Sequence, residues 1–263
     1  LDLKTEFDKI KEDFCFLFVG HWLQGNLGED RKDVGMLIKT FLMMFKGKKE
    51  KPALILKTSS AGFSIMDRNE LKRKINQIKK SLNFDNFPNI YILHGDLTDE
   101  EMNQLYNHPK VKTHITFTHG EGFGRPLLEA SFSGKPIMAP VSTGQADFLE
   151  KEYVVEIPHS MTKVPDSSFP KEYQNPEAVW SVVNYNMAAR LMVDVFENYK
   201  KYELRGKKLA IVNREQFNHE QMSKKLLTMV DKILEDVPQQ VQLKLPSLKK
   251  EPKKLKLPKL KKA

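Results

Sequence analysis

Residues 119–137 read HGEGFGRPLLEASFSGKPI, and the fold follows from what flanks them. Upstream lies the β-rich run HITFT (114–118) and downstream KPIMA (135–139). Between the two, Gly120, Gly122 and Gly124 bracket Glu121 and Phe123 and lead into helical periodicity over 125–133. A strand, a glycine turn, a helix and a second strand form the βαβ unit of a parallel sheet.

The same alternation continues outward. FCFLFV (14–19), ALILK (53–57), NIYIL (89–93) and YVVEI (153–157) bring the candidate strands to six. Candidate helices run over 33–45, 67–82, 98–107, 125–133 and 145–149, several opened by an Asp or Thr suited to an N-cap. Thr98 with Glu101 three residues on spells a capping box. The expected class is α/β: a six-stranded, mostly parallel sheet with helices on both faces. After the last strand a Pro- and Ser-rich stretch (158–176) reads as a loop, followed by two or three helices over 177–234. There Trp180, Val183, Met187, Leu191, Val195 and Tyr199 recur at spacings of three and four, an apolar stripe better explained by packing than by a cofactor.

Composition narrows the function. The chain has 263 residues, is 40% apolar and carries a net charge of +9. That charge sits at one end: residues 239–263 hold nine Lys against one Glu, a net +8, which leaves +1 for residues 1–238. The tail contains three Pro and no aromatic residue and is expected to be disordered. It reads either as a tether to an anionic partner, such as nucleic acid or anionic lipid, or as a solubilising end. No run approaches the roughly 18 apolar residues of a membrane span, and the N-terminus lacks a leader pattern. With a single cysteine, Cys15, inside an apolar run, the expectation is a cytoplasmic protein without disulfides or a multi-cysteine metal site.

In an open parallel sheet made of two βαβ halves, ligands bind beyond the strand carboxyl ends where strand order reverses. The loops expected there are GHWLQGNLGEDRKDVG (20–35), after the first strand, and the glycine turn before 125. Glycines let backbone N–H groups approach a ligand, and a helix N-terminus favours an anion. Glu129, alone in an apolar helical stretch, is costly to desolvate unless something donates hydrogen bonds to it; ribose hydroxyls would. Arg31 and Lys32 fall at a helix start, where cations oppose the macrodipole, so an anionic ligand nearby is a reason for their presence.

The run E-G-F-G-R-P-L-L-E-A-S-F-S-G-K-P-I resembles the E-x7-E signature of retaining glycosyltransferases of the two-Rossmann (GT-B) architecture, the group-1 or family-4 class. FLFVG with DRKDVGMLIKTF, ILHGDLTDEEMNQLY and NREQFNHEQM resemble further family segments, so the likeness spans about 14–234. It implies a Rossmann-like sheet forming the C-terminal, donor-binding half. It also implies that Glu129 binds ribose hydroxyls, that Glu121 contacts the donor sugar, and that Arg31 and Lys32 neutralise the diphosphate. The amides of Phe123 and Gly124, with Gly122 beside them, would approach sugar or phosphate, and Thr118 matches a small hydroxyl residue before the motif. Gly20, His21 and His119 fall in the same loops, where either histidine could touch phosphate or serve an ordinary structural role. In many relatives an Arg directly follows the first strand's Gly; here His21 stands there and the basic pair comes later.

The donor would be a UDP- or GDP-sugar, with no cofactor and no metal, since no Asp-x-Asp occurs. Residues 1–13 would be an interdomain remnant, 14–235 the donor domain and 236–263 the tail. The acceptor domain is expected on the same gene or on another chain, leaving the isolated domain inactive, and the C-terminal helices are expected to lead back toward it. Three alternatives stay open: a non-catalytic nucleotide-sugar-binding module, a nucleic-acid-associated protein acting through the tail, and, more distantly, a sugar-nucleotide epimerase.

Overall fold

The computed structural model describes residues 3–23, 25–60, 62–168, 175 and 177–236. The lysine-rich tail from 239 onward lies outside the described residues. The chain divides into two compact units after Asn218.

The first unit is built on a parallel sheet of six strands in the order β3-β2-β1-β4-β5-β6: β1 (Cys15–Val19), β2 (Ala53–Lys57), β3 (Ile90–Leu93), β4 (Val111–Ile115), β5 (Ile137–Ala139) and β6 (Val155–Glu156). Each sequence-derived strand is present. β4 is shifted: the expectation was 114–118, whereas the ladder holds Val111–Ile115. Thr116 N still donates to Met138 O of β5 at 3.0 Å, and beyond it the Thr118 amide donates back to Thr116 Oγ1 at 3.2 Å. Side chains alternate across the sheet as a two-residue period requires. Phe16 and Phe18 point into one core layer with Phe41, Phe45 and Leu54, and Cys15 and Leu17 into the other with Ile55, Leu105 and Ile137.

The helices that cover the sheet are α1 (Leu3–Asp8), α2 (Val34–Phe45), α3 (Ile65–Ser81), α4 (Asp99–Asn107), α5 (Arg125–Ser131), α6 (Tyr185–Glu197) and α7 (Tyr199–Gln216). Both halves of the expected capping box are formed at Thr98 and Glu101. Leu3, Phe7 and Ile10 are buried in the layer that holds Cys15 and Leu17, so the segment expected as a remnant contributes to the core. In place of the helix expected over 145–149 there is a short 3-10 turn, Thr143–Asp147.

The largest departure from expectation lies after β6. The presumed loop and the start of the helical stripe form an antiparallel hairpin, β7 (His159–Lys163) with β8 (Val179–Val183), paired His159 to Val183 through Lys163 to Val179. Trp180 and Val183 are therefore strand residues. Val179, Val182 and Val183 are β-branched and favour the pleat, while the Asn184 side chain accepts the Met187 amide and fixes the helix start one residue later. The second unit's described part is α8 (His219–Asp236), whose Leu226, Leu227, Ile233 and Leu234 are exposed.

Candidate functional site

Strand order reverses between β1 and β4. A crevice of about 280 Å³ opens beyond the carboxyl ends of β1 and β2, where Gly20, His21, Arg31, Lys32, Thr58 and Ser59 meet Arg125 and Glu129 of α5. A second hollow of about 410 Å³ shares Tyr106, Arg125 and Glu129 with it and extends the crevice along α4 and α5.

Two loops distant in sequence meet at Arg31 and Lys32, which line the crevice, although Glu121 itself does not line it. The Glu121 carboxylate, 9% exposed, is ion-paired to Lys32 Nζ and receives Arg31 Nη1 at 3.3 Å, and Arg31 also donates to Gly120 O at 3.0 Å. Burial acts to raise the Glu121 pKa, but Lys32, Thr118 and Arg31 outweigh it and hold the carboxyl below its ordinary value. Burial also pulls the Lys32 ammonium down, with Glu121 opposing. Both shifts follow from one geometry, in which a buried pair keeps its charges only because the partners touch. With Arg31 included, the cluster keeps one net positive charge at the crevice.

The glycine turn is held from behind. Glu121 N donates to Thr143 Oγ1 and Gly144 N to Glu121 O, both at 3.0 Å. A Cβ on Gly144 would lie 2.0 Å from Gly122 O, so only glycine fits this approach. Gly124 takes φ 91° as the N-cap of α5, and the amides of Gly122, Phe123 and Gly124 make no hydrogen bond among the described residues. Those amides are available to a ligand. Phe123 is 40% exposed, its ring near Phe148 and Phe217.

Glu129 differs from its expected setting. Its side chain is 35% exposed at the crevice rather than buried among apolar positions, pairing with Arg125 Nε at 2.9 Å and accepting the Tyr106 phenol at 3.2 Å. One turn separates Arg125 from Glu129, which puts both on the same helix face. Tyr106 is a site residue that the motif did not single out.

The remaining candidates divide. Gly20 closes β1, where a Cβ would press on Phe18 at 3.0 Å, and exposed His21 bonds through Nδ1 to Ser59 Oγ at 2.9 Å at the crevice. Thr118 is buried and spends its hydroxyl on the carbonyls of Gly120 and Arg31. His119 is buried too, with Nδ1 2.7 Å from Ser181 O, Nε2 3.2 Å from Gly28 O and its ring stacked on Trp180 at 4.0 Å. Both ring nitrogens face backbone, so this histidine ties loops together and is not free to reach a phosphate. Burial lowers its pKa, with the carbonyls of Ser181 and Gly28 opposing.

Behind the basic pair lie two buried acids. The Asp30 carboxylate accepts the Val34 amide at 3.1 Å and caps α2, and burial raises its pKa to about 6. Asp33, expected as an N-cap, takes φ 51° and makes no cap bond; its Oδ2 accepts the Tyr185 phenol at 2.7 Å, and burial raises its pKa to about 7.

Among the described residues no group of three or more His, Cys, Asp or Glu side chains gathers as a metal site, and no helix is long and apolar enough to cross a membrane. Cys15 is a buried free thiol whose pKa burial pushes up to about 12, which makes it a packing residue.

The fold is that of group 1 glycosyltransferases of the two-Rossmann class. A sucrose-phosphate synthase from Thermosynechococcus elongatus aligns over 90% of this chain and 49% of its own, with 16% identity and a TM-score of 0.59. HepE from Anabaena, solved with UDP and glucose, aligns over 88% of this chain and 51% of its own, with 12% identity and a TM-score of 0.56. The C-terminal domain of a group 1 glycosyl transferase, LpcC, from Francisella tularensis aligns over 79% of this chain and 89% of its own, with 14% identity and a TM-score of 0.51. The chain spans about half the length of the two longer structures. No family model and no curated protein matches the sequence.

Proposed function

We propose that this chain is the donor-binding half of a retaining glycosyltransferase and holds a nucleotide-diphosphate sugar in the crevice beyond β1, β2 and α5. The observation that carries the reading is the convergence of Arg31, Lys32 and Glu121 at the strand-order reversal, with Glu129 on the adjoining helix face. In this role Glu129 accepts the ribose hydroxyls, its orientation set by Arg125 and Tyr106. Arg31 and Lys32 meet the diphosphate and stabilise the charge that grows on it as the glycosidic bond breaks. The amides of Gly122, Phe123 and Gly124 add neutral donors beside them. Glu121 keeps the cations aimed at the crevice and presents a carboxylate to the donor sugar.

The basic side chains meet the diphosphate charge, so the reading requires no metal. The related structures named for UDP and glucose support a UDP-sugar as the first donor to try. The buried, unpaired Cys15 fits a cytoplasmic setting. Transfer requires an acceptor aligned on the anomeric carbon in a closed cleft. A chain about half as long as two of its structural relatives therefore calls for a second, acceptor-side half, on this gene product or on a partner.

The test is calorimetric titration of the purified chain with a panel of UDP- and GDP-sugars. Binding by one of them, weakened in Glu129→Ala without loss of fold, supports the reading. A folded chain that binds none of them contradicts it.

A further inference from the structure

The loop between β1 and α2 runs from Gly20 to Asp33 and carries both cations, yet little of its own structure fixes where they point. Three of the groups from elsewhere that hold it act on the turn that carries the cations. His119 Nε2 meets Gly28 O at 3.2 Å, the His119 amide donates to Arg31 O at 2.9 Å, and the Tyr185 phenol donates to Asp33 Oδ2 at 2.7 Å. The third tie is the unusual one. Asp33 is fully buried and held in the left-handed region, a conformation that costs an L side chain free energy unless its surroundings impose it. The carboxylate does not cap the helix that it precedes. It stands one residue from Lys32 and two from Arg31, where a change in the turn re-aims both side chains.

Tyr185 is itself rigidly placed. It is the first residue of α6, directly after the Asn184 cap, and the preceding β8 residues are tied to the glycine turn by Ser181 N donating to His119 O at 2.9 Å and by the Trp180–His119 stack. The phenol also lies over Gly28, 3.8 Å from where a Cβ would stand.

Resting on the donor-site reading above, we infer that Tyr185, acting through Asp33, is a positioning residue that aims Arg31 and Lys32 at the diphosphate. It touches no reacting atom. Its effect should fall on the diphosphate and spare the ribose, which the donor-site reading assigns to Glu129.

The test is a ratio of affinities. Calorimetry on the full chain compares UDP with uridine and GDP with guanosine, so the diphosphate's contribution is read apart from the nucleoside's. In Tyr185→Phe the diphosphate-over-nucleoside ratio falls about fivefold or more, the scale of one hydrogen bond, while nucleoside affinity stays near wild type. Asp33→Gly, which keeps the left-handed turn without a carboxylate, shows the same loss. Asp33→Asn, which retains an acceptor and tolerates that turn, keeps the wild-type ratio. Should Tyr185→Phe fail to fold, the two Asp33 variants carry the test. A ratio unmoved in Tyr185→Phe and Asp33→Gly overturns the proposal, as does a nucleoside affinity that falls in step with the diphosphate, the mark of a merely structural role. A wild-type ratio of one for both bases contradicts the diphosphate reading itself and removes the proposal with it.

Discussion

Lys32 and Glu121, 89 residues apart in the sequence, form a buried ion pair where the loops after β1 and β4 meet. Each loop arrives at the crevice independently, and the pair locks them in register. Burial penalises the ammonium while the carboxylate is held ionised, so removing one partner strands the other.

Glu121→Gln should therefore destabilise the fold at neutral pH by about 3 kcal/mol, the scale for stranding a buried charge, reduced by whatever relief Lys32 finds in water. Because the Glu121 pKa is lowered on folding, its contribution is present above the unfolded value of 4.5 and is lost as pH falls through the folded one. Urea unfolding of wild type and variant should give a difference that is large at pH 7 and shrinks on acidification.

Asp33 carries the opposite sign. Its folded pKa of about 7 lies above the ordinary 3.8, so the native state keeps a proton that the unfolded chain has released, and that stabilisation fades as pH rises toward and past 7. Asp33→Asn imitates the protonated form. Relative to wild type it should gain little at pH 4 and be more stable at pH 8, by an amount on the order of a few kcal/mol. The difference between the two proteins is the informative quantity, since buried His114, with its pKa pushed down to about 3, tilts the absolute curve the other way.

Gly144→Ala would drive a methyl into the Gly122 carbonyl. The expected cost is about 1–3 kcal/mol from overpacking, together with a displaced glycine turn. Chemical denaturation measures the first effect and loss of UDP affinity the second.

Glu129→Ala removes a half-exposed carboxylate and should barely move Tm, while costing nucleotide affinity about ten- to a hundredfold if two ribose hydroxyls bond to it. The same variant should leave the affinity for inorganic diphosphate unchanged.

Much of this was legible in the chain. β1, β2 and β3 stand out because Phe16, Leu54 and Ile92 belong to short β-branched or aromatic runs, and the Thr98–Glu101 box marks its helix start by local hydrogen bonding alone. The hairpin was hidden because Trp180, Val183 and Met187 happen to be spaced by three and four, so a strand and the helix after it read as one stripe. Thr113 and His114 lie in the sheet although their polar character suggests a turn; pairing with Phe16 and Leu17 of β1 overrides propensity there. In the site, Arg31, Lys32, Glu121 and Glu129 could be named from loop chemistry and motif. Their partners could not. Thr143 behind Glu121, Tyr106 beside Glu129 and Tyr185 on Asp33 come from segments 22, 23 and 152 residues away, and only the folded sheet brings them within reach.

The most direct test of the central claim is the affinity of the full chain for UDP and GDP, measured by calorimetry in wild type and in the Arg31→Ala, Lys32→Ala double variant. The account predicts that wild type binds one nucleoside diphosphate and that the folded double variant binds it at least about tenfold more weakly, the loss expected from two charge-assisted contacts. Equal affinity in the two proteins, or a folded wild type that binds neither nucleotide, would contradict it.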